Sequence, residues 1–125
     1  EVGLPCLTYS LRGIVAVEVE VRSAALPVHS GMAGGALPDA ALALNKVLAK
    51  LYWENGPIPV PGLYDAVRPL TDKERAAVRK LPWDDGKFRT EVGVVPSARY
   101  ALERGLNVYE QTWRRPAVTV IAQEA

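Results

Sequence analysis

Hydrophobic and polar positions alternate most regularly near the N-terminus. Over residues 8–22, Val15, Val17, Val19 and Val21 fall on one side, and Ala16, Glu18, Glu20 and Arg22 on the other. Period two with four valines predicts a half-buried strand whose Glu18/Glu20/Arg22 face meets water or a partner. The segment His29-Ser30-Gly31-Met32-Ala33-Gly34-Gly35 follows, and three glycines in five positions argue against both strand and stable helix. A helix is predicted to open near Pro38-Asp39, where Pro is tolerated and Asp complements the helix dipole. Leu44, Val47, Leu48 and Leu51 then form one stripe at spacings of three and four, an amphipathic helix of about four turns. Asn55-Gly56 supplies the expected stop.

The second half is less regular. Pro57, Pro59 and Pro61 exclude a central strand. Thr71-Asp72-Lys73-Glu74 has capping-box spacing and predicts a short helix ending before Pro82. Leu102, Leu106, Tyr109 and Trp113 give helical spacing over residues 97–114, interrupted at Gly105, and residues 117–121 read as a second strand after Pro116. Two strands make a marginal sheet. The valine face needs more cover than the chain clearly supplies, so the pattern resembles part of a sheet whose other strands lie elsewhere.

Composition narrows the function. The 125 residues, with 49% hydrophobic and 23% charged, fit one globular domain over residues 1–125. Ten glycines and ten prolines predict a loop-rich chain. Fifteen basic against fourteen acidic residues disfavour a nucleic-acid partner. No stretch of about 18 apolar residues is present to span a membrane. One cysteine, Cys6, excludes an internal disulfide and fits a reducing, cytoplasmic setting. Glu1-Val2-Gly3-Leu4-Pro5 has neither an initiator Met nor a signal-peptide pattern, and the expectation is a chain that starts in mid-protein.

Most catalytic constellations are missing from the sequence. One His and one Cys cannot supply the converging ligands of a metallohydrolase, and no nucleophile elbow, phosphate loop or dinucleotide fingerprint occurs. The glycine segment lies between predicted strand and helix, where phosphate could bind, but its spacing fits neither fingerprint. Cys6 as a nucleophile would need His29 beside it; a buried or incidental thiol is the simpler reading. Trp53, Trp83 and Trp113 with Tyr52, Tyr64 and Tyr109 read as core and interface residues in the absence of a basic stripe.

Several segments form a recognisable series. They are Leu7-Thr8-Tyr9-Ser10-Leu11-Arg12-Gly13, then Val28-His29-Ser30-Gly31-Met32-Ala33-Gly34-Gly35-Ala36 with Pro38 and Asp39, then Ile58-Pro59-Val60-Pro61-Gly62-Leu63-Tyr64-Asp65-Ala66-Val67 followed by Leu70-Thr71 and Glu74. In order and spacing they resemble the lid, or dimerisation, domain of the M20 metallopeptidases, in particular the carnosinase-like dipeptidase branch. The resemblance implies an α+β fold. It would be a partial ferredoxin-like two-layer sandwich, its antiparallel sheet covered by helices, inserted in a catalytic domain that holds two zinc ions. It implies a homodimer formed through the lid, with peptide or acylated amino-acid substrates. It further implies that His29 reaches the partner's active site and hydrogen-bonds the substrate carbonyl and its oxyanion. No zinc ligand of the catalytic domain is present, the lid pattern is incomplete, and Val28 stands where Leu is common in the branch.

Read without the resemblance, His29 is a loop histidine satisfied by local backbone groups. Its glycine-rich surroundings nevertheless leave the imidazole N–H free of bulky neighbours, and a preorganised donor to an oxyanion is worth about 3 kcal/mol. Arg12 is a candidate for a substrate carboxylate or acidic partner, with a structural salt bridge as the alternative. Tyr64 and Asp65 are expected to pack and turn the chain. Asn45, Lys46 and the Glu18/Glu20 face are the interface candidates. From a different class, the chain could be a stand-alone dimerising interaction module without a catalytic role.

Overall fold

The structure, a computed structural model, describes residue 5, residues 7–51 and residues 56–124. Cys6, Tyr52, Trp53 and the Asn55 helix stop lie outside the described residues. The elements in order are α1 (Ser30–Ala33), α2 (Ala40–Leu48) continued by a 3₁₀ turn (Ala49–Leu51), α3 (Asp72–Arg79), α4 (Asp85–Val92) and α5 (Val108–Arg114).

Capping side chains fix where these helices start. Asp39 accepts from the Leu42 N–H and opens α2 one residue after Pro38. Thr71 and Glu74 form the expected reciprocal capping box on α3, and Asn107 and Glu110 form a second one on α5. Each box satisfies two N-terminal backbone donors that the helix cannot pair internally. Asp84 opens α4. Gly93, at φ 72°, closes it, with bonds from Gly93 to Thr90 and from Val94 to Arg89. This is a Schellman closure, which requires the left-handed backbone that glycine adopts without a Cβ clash.

The expected sheet is not there. Among the described residues no strand forms, and the only bridge is an isolated parallel pair, Gly34 with Leu37. Residues 8–22 keep their alternation in sequence but bury neither face: Val15 is 85% and Val17 82% exposed. Residues 117–121 are likewise unpaired, with Ile121 at 89%. The physical reason is that a strand is stabilised by a neighbour about 4.8 Å away that takes its backbone N–H and C=O groups. Nothing described here supplies that neighbour, so the ferredoxin-like sandwich is replaced by short capped helices and irregular chain. The predicted helix over residues 97–114 also shrinks to α5, because Gly105 takes φ 84° and Asn107 starts the helix afresh.

The chain as a whole is open. Its accessible surface is 10743 Å², against about 6,600 Å² expected of a compact 13.6 kDa protein. Ile58 is the only fully buried hydrophobic residue among those described. What organises the second half is polar. α3 packs on α5, and Glu110, 1% exposed, sits between them with Arg75 and Arg79.

Candidate functional site

His29 is the N-cap of α1. Its Nδ1 accepts from the Gly31 N–H at 3.0 Å, and its carbonyl accepts from Met32 and Ala33. An imidazole nitrogen that accepts carries no proton, so this bond fixes the Nε2–H tautomer of the neutral ring. The ring is exposed, and Nε2 has no partner among the described residues. The local-backbone reading of His29 is therefore correct for one nitrogen, while the other remains an outward donor.

The glycines around it have assignable roles. A Cβ on Gly31 would meet His29 Cε1 at 2.9 Å and Nδ1 at 3.0 Å, so only glycine lets the ring fold back onto the turn. A Cβ on Gly34 would collide with the Ser30 carbonyl oxygen, which takes the Gly34 N–H at 2.7 Å. The glycines that argued against helix thus allow a single turn to close tightly under the imidazole.

Arg12 forms no salt bridge among the described residues. Its Nη1 donates to the Arg115 carbonyl at 3.4 Å, tying the N-terminal segment to the end of α5. His29 and Arg12 share no hydrogen bond.

The Pro-Gly-Tyr-Asp segment is held by a network that the sequence did not disclose. Tyr64 donates to Glu103 at 3.1 Å and accepts from the buried Ile58 N–H at 2.9 Å. Arg115 grips the same carboxylate through Nε at 3.0 Å and Nη2, with its guanidinium 4.7 Å over the Tyr64 ring. Arg115 holds the Glu103 carboxyl below the usual carboxylate range despite burial. Burial and the Glu103 charge raise the Tyr64 phenol, opposed by the Ile58 bond, and it remains a donor. Tyr64 packs and Asp65 closes a turn onto the Gly62 carbonyl, as expected. Glu103 carried no recognisable motif; its signal is tertiary.

Trp83, Phe88, Tyr109 and Trp113 line an open cleft of 680 Å³. Trp83 meets Phe88 at 4.9 Å and Tyr109 edge-on at 5.4 Å, and Tyr109 anchors on the Pro82 carbonyl.

Among the described residues no three His, Cys, Asp or Glu side chains converge. The lone imidazole caps a turn, and Glu74, Glu103 and Glu110 are each held by guanidinium groups. No helix is long and apolar enough to cross a membrane among the described residues.

No family profile matches the chain, and no solved structure does. Curated proteins do. The chain is 32% identical over 120 residues to a cysteinylglycine-S-conjugate dipeptidase of Corynebacterium striatum, covering 96% of this chain and 24% of that protein. It is 30% identical over 116 residues to the human Beta-Ala-His dipeptidase, covering 93% and 22%. It is 29% identical over 116 residues to the Cys-Gly metallodipeptidase DUG1 of Candida albicans, covering 93% and 23%. The chain spans about a quarter of the length of the curated relatives it matches. These matches run through the His-Ser-Gly turn and the Pro-Gly-Tyr-Asp segment alike, and over nearly all of its length the chain is similar to part of these dipeptidases, consistent with the resemblance to the M20 metallopeptidases.

Proposed function

We propose that this chain is the lid and dimerisation segment of a metal-dependent dipeptidase, and that His29 serves the active site of a second subunit. The Nε2–H of His29 would donate to the scissile carbonyl of a dipeptide or acylated amino acid, and more strongly to the oxyanion that forms there. A donor aimed in advance at developing charge is worth about 3 kcal/mol, or roughly a hundredfold in rate. The observation that carries this reading is the Gly31 N–H to Nδ1 bond, which assigns the ring proton to the exposed nitrogen. The relatives are named as dipeptidases, two for cysteinylglycine-type and one for Beta-Ala-His substrates, which supports a dipeptide.

Metal binding would fall to residues outside this chain, as the resemblance to the metallopeptidases implies. When bound there, the ions supply Lewis-acid chemistry and activate water. This chain's part is to place a neutral N–H donor and, through Arg12, a cation for the substrate carboxylate. Homodimerisation through this segment is favoured by its exposed apolar row, with Val15 at 85% and Val17 at 82% exposure. The same row would serve a stand-alone interaction module equally, and the catalytic test separates the two.

The experiment is His29→Ala in the full-length parent enzyme, with kcat, KM and bound metal measured. The expected result is a fall in kcat of about a hundredfold with metal content intact. Mixing this variant with one crippled in the metal site should restore activity, because heterodimers then contain one site with neither lesion. An unchanged kcat would remove the oxyanion role, and failure of mixing to restore activity would remove the exchange between subunits.

A further inference from the structure

The chain carries nearly balanced charge, fifteen cations against fourteen anions, yet one cleft is strongly one-sided. It has a volume of 300 Å³ and lies between the segment leading into α3, the chain before α5, and the end of α5. Arg68, Arg75, Arg104, Arg114 and Arg115 line it against two carboxylates, Glu103 and Glu110. Arg79 joins from α3 through Glu110 and the Gly105 carbonyl.

The pairings leave cations over. Glu103 is taken by Arg115, Glu110 by Arg75 and Arg79 together, and Arg68 by Glu74 from outside the lining. Arg104 and Arg114 have neither ion pair nor hydrogen bond among the described residues. Five guanidinium groups thus line the cavity with two carboxylates, and Glu74 offsets Arg68 from outside it. Such an excess is costly through mutual repulsion unless an anion enters, and the guanidinium fork is the side chain best matched to oxyanions.

We propose that this cleft binds a small doubly charged oxyanion of the phosphate type, with Arg104 and Arg114 as its principal ligands. A phosphate group carries nearly two charges at neutral pH and presents several acceptor oxygens, so it can engage guanidinium groups approaching from different walls. A carboxylate carries one charge and two oxygens and leaves one of the two unpaired cations uncompensated. A cleft of 300 Å³ suits an ion or a monoester and not a polymer, which needs an extended basic stripe. The site is separate from the His29 turn and requires no catalysis, so it stands or falls apart from the proposed function.

The test is phosphorus-31 NMR and equilibrium dialysis of the 125-residue chain with inorganic phosphate and with phenyl phosphate, at ionic strength held constant with chloride. Saturable binding with a dissociation constant on the order of 1 mM or tighter is expected. Arg104→Ala with Arg114→Ala should weaken it at least about tenfold, while the paired lysine variant should recover part, since it keeps charge but loses the fork. Far-UV circular dichroism should be unaltered in both, because neither side chain has an ion pair or hydrogen bond among the described residues. Tighter binding of the ester assigns the cleft to a phosphorylated metabolite, and equal or tighter binding of the free ion assigns it to inorganic phosphate. Absence of saturable binding, equal competition by acetate, or unchanged affinity in the double alanine variant would each overturn the proposal.

Discussion

Glu110 offers the most direct test of how this chain is held together. Its carboxylate is 1% exposed and does two jobs. It accepts from the Asn107 N–H at 2.8 Å, completing the α5 capping box, and it meets Arg79 at 3.3 Å and Arg75 at 3.4 Å from α3. Glu110→Gln keeps an oxygen for the cap but removes the charge. The two guanidinium groups are 46% and 49% exposed, so each pairing falls between a surface pair and a buried one, about 1 kcal/mol apiece. Glu110→Gln should therefore cost about 2 kcal/mol. Glu110→Ala also leaves the cap donor unpaired and should cost about 3 kcal/mol. For a domain of this size these correspond to losses in Tm of about 8 °C and about 12 °C. Burial pushes the Glu110 carboxyl up, but the Asn107 amide and the two arginines pull it further down, to below its ordinary value. A carboxyl lowered on folding contributes stability that is present above its unfolded pKa of about 4.3 and is lost as pH falls through the folded value. The gap between wild type and Glu110→Gln should thus be full at pH 7 and close in acid. Thermal and urea unfolding followed by circular dichroism from pH 7 down to pH 2 gives both numbers. Equal stability of the two proteins at pH 7, or a gap indifferent to pH, would refute the account of α3 and α5 as joined by a charged contact.

Two further substitutions probe the other features. Gly31→Ala should push the His29 ring off the turn, and nitrogen-15 NMR of the neutral imidazole should shift from the single Nε2–H tautomer to a mixture; an unaltered spectrum would mean that the Gly31 contact does not hold the ring. Tyr64→Phe leaves the buried Ile58 N–H without its acceptor and Glu103 without one donor, for an expected loss of about 2 kcal/mol in urea unfolding and faster hydrogen exchange at the Ile58 amide; a midpoint within error of wild type would contradict the network.

The parts of this structure legible in the sequence are those whose cause is local. The Thr71–Glu74 box, the Asp39 cap and the stop of α3 before Pro82 each depend on residues within four positions of one another, and each stands where the spacing placed it. The second box, Asn107 with Glu110, has the same logic, but a longer apolar spacing over residues 97–114 masked it. α4 was missed because its signals, Asp84 and Gly93, flank a stretch with little amphipathic pattern. The sheet failed for the opposite reason. Alternation in residues 8–22 states what a strand would bury, but pairing depends on a neighbour, and no described segment pairs with it. At the site, His29 stood out through its glycines, while the Glu103 and Glu110 hubs depend on arginines 12 and 31 residues away in sequence.

The His29 turn contains everything needed to aim its own ring. The imidazole, the amide that pins it, the Gly31 that clears room for it and the Gly34 that lets the turn close occupy six consecutive positions, 29–34. Reorientation of the surrounding scaffold would carry the donor along as a unit without altering which nitrogen bears hydrogen. A graft of those six residues into an unrelated surface loop should bring the same tautomer with it, which makes the turn a portable device for presenting an uncharged N–H to whatever lies opposite.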